Sequence, residues 1–124
     1  MKKTPIITTF SLYVLVLLGL FLVPSERLKV VYDLMGITGD GLFHFISFLI
    51  LSLFLHSILR MYYVHKPFSW IITISIVLSL GIETIQYFLP TRDASIIDLI
   101  LHVSGALTYV LIAWIDRIYL KGQL

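Results

Sequence analysis

The stretch from Gly81 to Gly105, GIETIQYFLPTRDASIIDLILHVSG, gathers Glu83, Gln86, Arg92, Asp93, Asp98 and His102 inside an otherwise apolar chain. Upstream, DGLFH adds Asp40 and His44. Carboxylates and imidazoles are the side chains that pass protons in general acid–base chemistry. An arginine among them can hold an anionic head group through charge-assisted hydrogen bonds. Two histidines with two carboxylates could also ligate zinc or manganese, although no HExxH or similar motif supports a metal and nothing points to a cofactor. Helical spacing groups these residues. Glu83 and Gln86 are i, i+3, Asp98 and His102 are i, i+4, and Gly105 continues roughly the second face. A glycine there lets a neighbouring backbone approach closely.

The elements that must position these residues are legible from hydrophobicity. Of 124 residues, 59% are hydrophobic and 13% charged, and the apolar residues come in long blocks, unlike a soluble domain. About 20 apolar residues cross a bilayer as a helix. Four runs qualify, at about 6–23, 42–60, 69–89 and 96–115. The expected fold is all-α, a single four-helix integral membrane bundle over 1–124. Cysteine is absent, which excludes disulfides, thiolate catalysis and cysteine-ligated metals. The net charge of +2 comes without a basic patch interleaved with aromatics, so nucleic acid is not an expected partner.

Met1-Lys2-Lys3 looks like the charged start of a secretory signal, but the apolar run after it is longer than a signal's and no small-x-small cleavage site follows. The first run is therefore read as a retained span. Pro24–Gly41 is a long link whose piece Leu28–Met35 is expected to lie in the membrane interface. MYYVHKPF is short and aromatic, suited to the headgroup layer. The still shorter PTRDA makes spans three and four a helical hairpin. Ser95 is the expected N-cap of span four, with Asp98 three residues on as in a capping box.

Lys and Arg set orientation. With the N-terminus cytoplasmic, the inner segments hold six (Lys2, Lys3, Arg60, Lys66, Arg117, Lys121) and the outer loops three (Arg27, Lys29, Arg92). Both termini are thus expected on the cytoplasmic side of a bacterial plasma membrane. Asp40, His44, Glu83, Gln86, Arg92, Asp93, Asp98 and His102 then fall at one membrane face, the outer one. Blander roles compete for each. Asp98 suits a helix start, Arg92 and Asp93 suit a solvated loop, and Gln86 and His102 suit interhelical hydrogen bonding. His56, with no acidic partner in sight, reads as structural. Glu83 is the hardest to explain that way, since a charge in the hydrocarbon layer costs about 2.5–3.5 kcal/mol even on insertion scales.

These residues resemble the VanZ-like family of small bacterial membrane proteins, whose namesake is associated with resistance to teicoplanin, a lipoglycopeptide. The family pattern opens with Asp-Lys-x-x-His. Asp40 and His44 match it, and Gly41 replaces the lysine. A second element, Glu-x-x-Gln followed by Arg, Ser, Asp, Asn and Gly, is matched by Glu83, Gln86, Arg92, Ser95, Asp98 and Gly105, with His102 in place of the usual Asn. The resemblance spans roughly Asp40 to Ala113. It implies a site for an envelope lipid, a lipid-linked precursor or a lipoglycopeptide. In that site Glu83, His44 and His102 would supply acid–base chemistry, while Asp40, Gln86, Arg92, Ser95, Asp98 and Gly105 would bind. Two other functions compete. A proton-coupled transporter would need four short spans to oligomerise, and a non-catalytic scaffold would use the polar cluster only to lock helices together.

Overall fold

The computed structural model describes residues 3–22, 40–90 and 95–120, together with positions 27, 29, 30, 33 and 34. Four helices form the bundle: α1 Lys3–Leu22, α2 Asp40–Met61, α3 Pro67–Phe88 and α4 Ile96–Tyr119. All four are long and apolar enough to cross a membrane. At 20 to 24 residues each, they extend about 30–36 Å, the thickness of a hydrocarbon core. Among the described residues there is no strand. The chain is a multi-pass membrane protein. Of the expected interfacial segment Leu28–Met35, only 29, 30, 33 and 34 are described, and each is helical.

The helices overrun the apolar runs that reveal them, because backbone hydrogen bonding does not stop where hydrophobicity does. The largest difference is at the end of α4, which continues through Asp116 and Arg117 to Tyr119. Proline sets the inner boundaries. Pro67 opens α3 at its first turn, where a missing N–H costs nothing. Pro90 forces the preceding Leu89 into extended backbone (φ −91°, ψ 128°) and ends the helix. The link between α2 and α3 turns through two left-handed residues, Tyr63 (φ 55°) and Lys66 (φ 54°).

Cross-helix contacts fix an up-down-up-down order. The Lys3 ammonium lies 4.7 Å from the Tyr62 ring centre, so α1 begins where α2 ends. Gln86 Nε2 donates to the Phe21 carbonyl at 2.8 Å, so α3 ends where α1 ends. The interior inverts the usual soluble pattern. His44, Ser52, Ser75, Ser79, Gln86 and His102 are fully buried beside Phe21, Phe48, Leu51, Ile71 and Ile82, while Leu15, Val16, Val77, Leu80, Ile96 and Leu111 face outward. That is the arrangement a hydrocarbon solvent imposes, since polar groups must be satisfied inside the protein. α1 is peripheral, with only Leu17 and Phe21 of its residues buried. Its Tyr13 hydroxyl is tied to the Ser47 carbonyl of α2 at 2.6 Å. α2 and α4 meet backbone to backbone at Gly105, where an added Cβ would collide with the Phe45 carbonyl.

Candidate functional site

Three helices bring four polar side chains into line. His44, near the start of α2, and His102, near the start of α4, meet through Nδ1 and Nε2 at 2.6 Å. The other nitrogen of His102, Nδ1, is 2.7 Å from Ser79 Oγ on α3. The other nitrogen of His44, Nε2, is 3.5 Å from Asp98 Oδ2, one turn before His102 on α4. The order is Ser79, His102, His44, Asp98.

Proton positions along the line follow from donor and acceptor complementarity. With Asp98 ionised and both rings neutral, His44 Nε2–H faces the carboxylate and leaves Nδ1 as acceptor. His102 then donates from Nε2 and accepts from the Ser79 hydroxyl at Nδ1. One added proton on the pair makes His44 an imidazolium that donates both to Asp98 and to His102. His102 must then turn its remaining N–H onto Ser79. Both hydrogen bonds of His102 survive in either state with their direction reversed, and His44 Nε2–H faces Asp98 in both. The arrangement can therefore take up a proton at one end and present one at the other.

Aromatic rings enclose the pair. Phe21 stacks on His44 at 5.0 Å between ring centres and 14° between planes. Phe48 stacks on His102 at 4.1 Å and 22°. Both histidines are fully buried. Gly105 makes this proximity attainable, since it lies three residues after His102 and admits the α2 backbone next to His44. The enclosure keeps water off the rings, and low polarity strengthens each hydrogen bond inside it.

Glu83 lies at the same end, nine-tenths buried. Its Oε2 accepts the Ser95 backbone N–H at 2.9 Å and so caps the start of α4 from outside. Ser95 is the N-cap in extended backbone, but its own side chain makes no capping bond. The expected capping box is thus replaced. Glu83 takes the amide that Asp98 would have taken, and Asp98 is left to face His44. Gln86 does the corresponding work for α1, whose last-turn carbonyls have no partner within their own helix. Its Oε1 accepts no hydrogen bond among the described residues.

His44, Glu83, Gln86, Ser95, Asp98, His102 and Gly105 therefore sit at one end of the bundle. Arg92, Asp93 and the Asp40 side chain lie outside the described residues. Ser79, Phe21 and Phe48 were not among the expected site residues. Ser79 was within reach of sequence reasoning, being one turn before Glu83 on the same face. Nothing in the sequence marks Phe21 or Phe48 among so many phenylalanines. His56 also has a partner the sequence did not offer, the Tyr109 hydroxyl at 2.7 Å from Nδ1. No group of three or more His, Asp or Glu side chains suited to a metal ion forms among the described residues.

The model of the VanZ/LLP1 family matches residues 10–118, from the middle of α1 to the end of α4. The chain belongs to the VanZ/LLP1 family. No curated protein and no solved structure matches it. Within the matched residues, the two positions that depart from the pattern the sequence resembles, Gly41 and His102, occupy defined places. His102 makes two of the three contacts in the line, where an asparagine could bridge by hydrogen bonds but could not relay a proton. A side chain in place of Gly41 would meet Leu101 Cδ1 of α4 at 3.2 Å.

Proposed function

We propose that this VanZ/LLP1 protein binds or acts on a lipid or lipid-linked precursor of the cell envelope at the outer membrane face, and so changes susceptibility to glycopeptide and lipoglycopeptide antibiotics. The observation that carries the reading is the line Ser79–His102–His44–Asp98, whose serine and two histidines are fully buried. Hydrogen bonds between membrane helices contribute about 0.6 kcal/mol on average. Holding helices together therefore gives little reason to place two buried, mutually bonded imidazoles beside a carboxylate, whereas proton transfer to a ligand uses such a set. The Lys/Arg asymmetry supports placing this end outside, where lipid-linked precursors are used. Arg92, in the link next to Glu83 and Asp98 in sequence, is the natural cation for a phosphorylated head group. Access requires Phe21 to move off His44, a motion that the peripheral position of α1 favours.

The reading is tested in a teicoplanin-sensitive host expressing the wild type, His44→Gln or Ser57→Ala at equal membrane levels. Ser57, whose hydroxyl bonds the Leu53 carbonyl in the other half of α2, serves as the control. Protection by the wild type and Ser57→Ala but not by His44→Gln supports an outer site that needs its relay. Equal protection by all three removes the acid–base reading, and no protection by the wild type detaches the resistance phenotype from this chain.

One observation favours proton-coupled transport as a second reading. Ser52 and Ser75 are fully buried beyond the relay and lead along α2 and α3 toward His56. Uptake of protons by vesicles containing the purified protein, abolished by His44→Gln, would support it.

A further inference from the structure

At the opposite end of the bundle, where α2 ends, α3 begins and α4 ends, a cleft of about 640 Å³ opens between the helices. That volume is in the range of small-molecule sites. Arg60, Lys66 and Arg117 line it together with His56, His65 and a single carboxylate, Asp116. We propose that this cleft is a second, anion-binding site that takes a phosphate group, carried either by an anionic phospholipid or by a soluble phosphate.

Three features of the cleft favour a phosphate. Lys66 and Arg117 make no side-chain ion pair or hydrogen bond among the described residues, so two cations border the cavity without a protein counter-charge of their own. The first turn of α3 opens onto it with no side-chain cap, and a helix N-terminus presents amide donors and positive potential to an anion. The residue at that N-cap is Lys66, a cation at the positive end of the helix dipole in left-handed backbone. Both choices cost stability in the empty protein, and a bound anion offsets the electrostatic one. At the floor, His56 is 8% exposed. Tyr109 holds its Nδ1, and its other ring nitrogen has no hydrogen-bond partner among the described residues. Positive charge that serves only to orient the chain in the membrane needs neither a cavity nor a buried, half-satisfied histidine.

The test uses the full chain purified in a non-ionic detergent at fixed ionic strength. It is titrated in one arm with short-chain phosphatidylglycerol, in a second with inorganic phosphate, and in a third with the zwitterionic phosphatidylcholine of the same chain length. Binding is read from tryptophan fluorescence, since Trp70 lies on the first turn of α3 and Trp114 on the last turns of α4, and from lipid retained in native mass spectra. The expected result is saturable binding in the first arm, the second or both, with none to phosphatidylcholine. The double variant Lys66→Gln/Arg117→Gln should lose about tenfold or more in affinity, as removal of two charge-assisted contacts implies. Binding in the first arm alone assigns the site to a lipid headgroup. Equal binding in the first two assigns it to the phosphate itself. Both replaced side chains are exposed, so the fold is retained, and Lys3→Gln controls for charge because Lys3 lies at the same end but outside the cleft. Absence of saturable binding in the first two arms, or an equal loss in Lys3→Gln and the double variant, overturns the proposal.

Discussion

Replacing Gly105 by alanine tests whether the contact between α2 and α4 is what holds the histidine pair together. The new Cβ would fall well inside the contact distance of the Phe45 carbonyl oxygen, 3.1 Å from the Leu49 nitrogen and 3.2 Å from the Phe45 carbonyl carbon. All three obstacles are backbone atoms of α2, so no rotamer change relieves them. A carbon rests against a carbonyl oxygen at about 3.3–3.6 Å, which requires the two helices to part by roughly 1 Å at this level. Phe45 follows His44 directly and Gly105 is three residues after His102, so the displacement falls on the pair. Their 2.6 Å contact would lengthen to about 3.6 Å, beyond hydrogen-bond range. Overpacking of about 1–3 kcal/mol and loss of an interhelical bond of about 0.6 kcal/mol together predict a destabilisation of about 2–3.5 kcal/mol. Unfolding in mixed micelles measures that cost, with Gly81→Ala as reference because nothing lies within 4 Å of a Cβ there. Nitrogen chemical shifts of the two rings report the bond itself. If Gly105→Ala unfolds with Gly81→Ala and the ring shifts do not move, the close approach is not what sustains the pair.

Other contacts give narrower expectations. Glu83→Ala should destabilise by about 1 kcal/mol through the lost cap, and Glu83→Gln, which keeps an acceptor for the Ser95 amide, by clearly less; unfolding in mixed micelles ranks the two. Tyr109→Phe removes the only hydrogen bond between His56 and α4 among the described residues and should cost about 0.6–1.7 kcal/mol, while leaving the His44 and His102 ring shifts unchanged. Gln86→Leu removes the donor to the Phe21 carbonyl. A cysteine pair across α1 and α3 should then cross-link more slowly, with α2–α4 cross-linking unaffected.

The four spans and the grouping of polar residues at one end were legible because both depend on coarse properties, apolar length and helical period. The roles within the group were not. Glu83 read as the residue least explicable by structure, yet its carboxylate closes the start of α4. That bond joins residues 12 positions apart, and no local period decides whether Glu83 or Asp98 receives the Ser95 amide. His102 and His44 are 58 positions apart, and no local period connects them. Their meeting depends on the α2–α4 register, which Gly105 sets. The aromatic enclosure was illegible for another reason. In a membrane bundle, phenylalanines face lipid and core alike, so Phe21 and Phe48 carry no mark of their place.

The hairpin of α3 and α4 explains why an acidic residue three positions after an N-cap can serve a site instead of a helix end. Asp98 would ordinarily be held by the capping interaction, with its carboxylate turned back to the Ser95 amide. Glu83 reaches across from α3 and satisfies that amide first, so Asp98 keeps the favourable position near the helix dipole with its Oδ2 toward His44. Two turn-spaced residues on α3 thus set the frame, Gln86 closing the end of α1 and Glu83 the start of α4. The line Ser79–His102–His44–Asp98 is assembled from α2, α3 and α4. This division separates two kinds of variant. On the proposed function, changes at Glu83 and Gln86 act through helix ends, and Glu83→Gln is the milder of the Glu83 changes because it keeps an acceptor for the Ser95 amide, whereas changes at His44 and Asp98 act on proton transfer without a matching loss of fold. A Glu83→Gln protein that is fully folded and yet as defective as His44→Gln would contradict that division and return Glu83 to the chemistry.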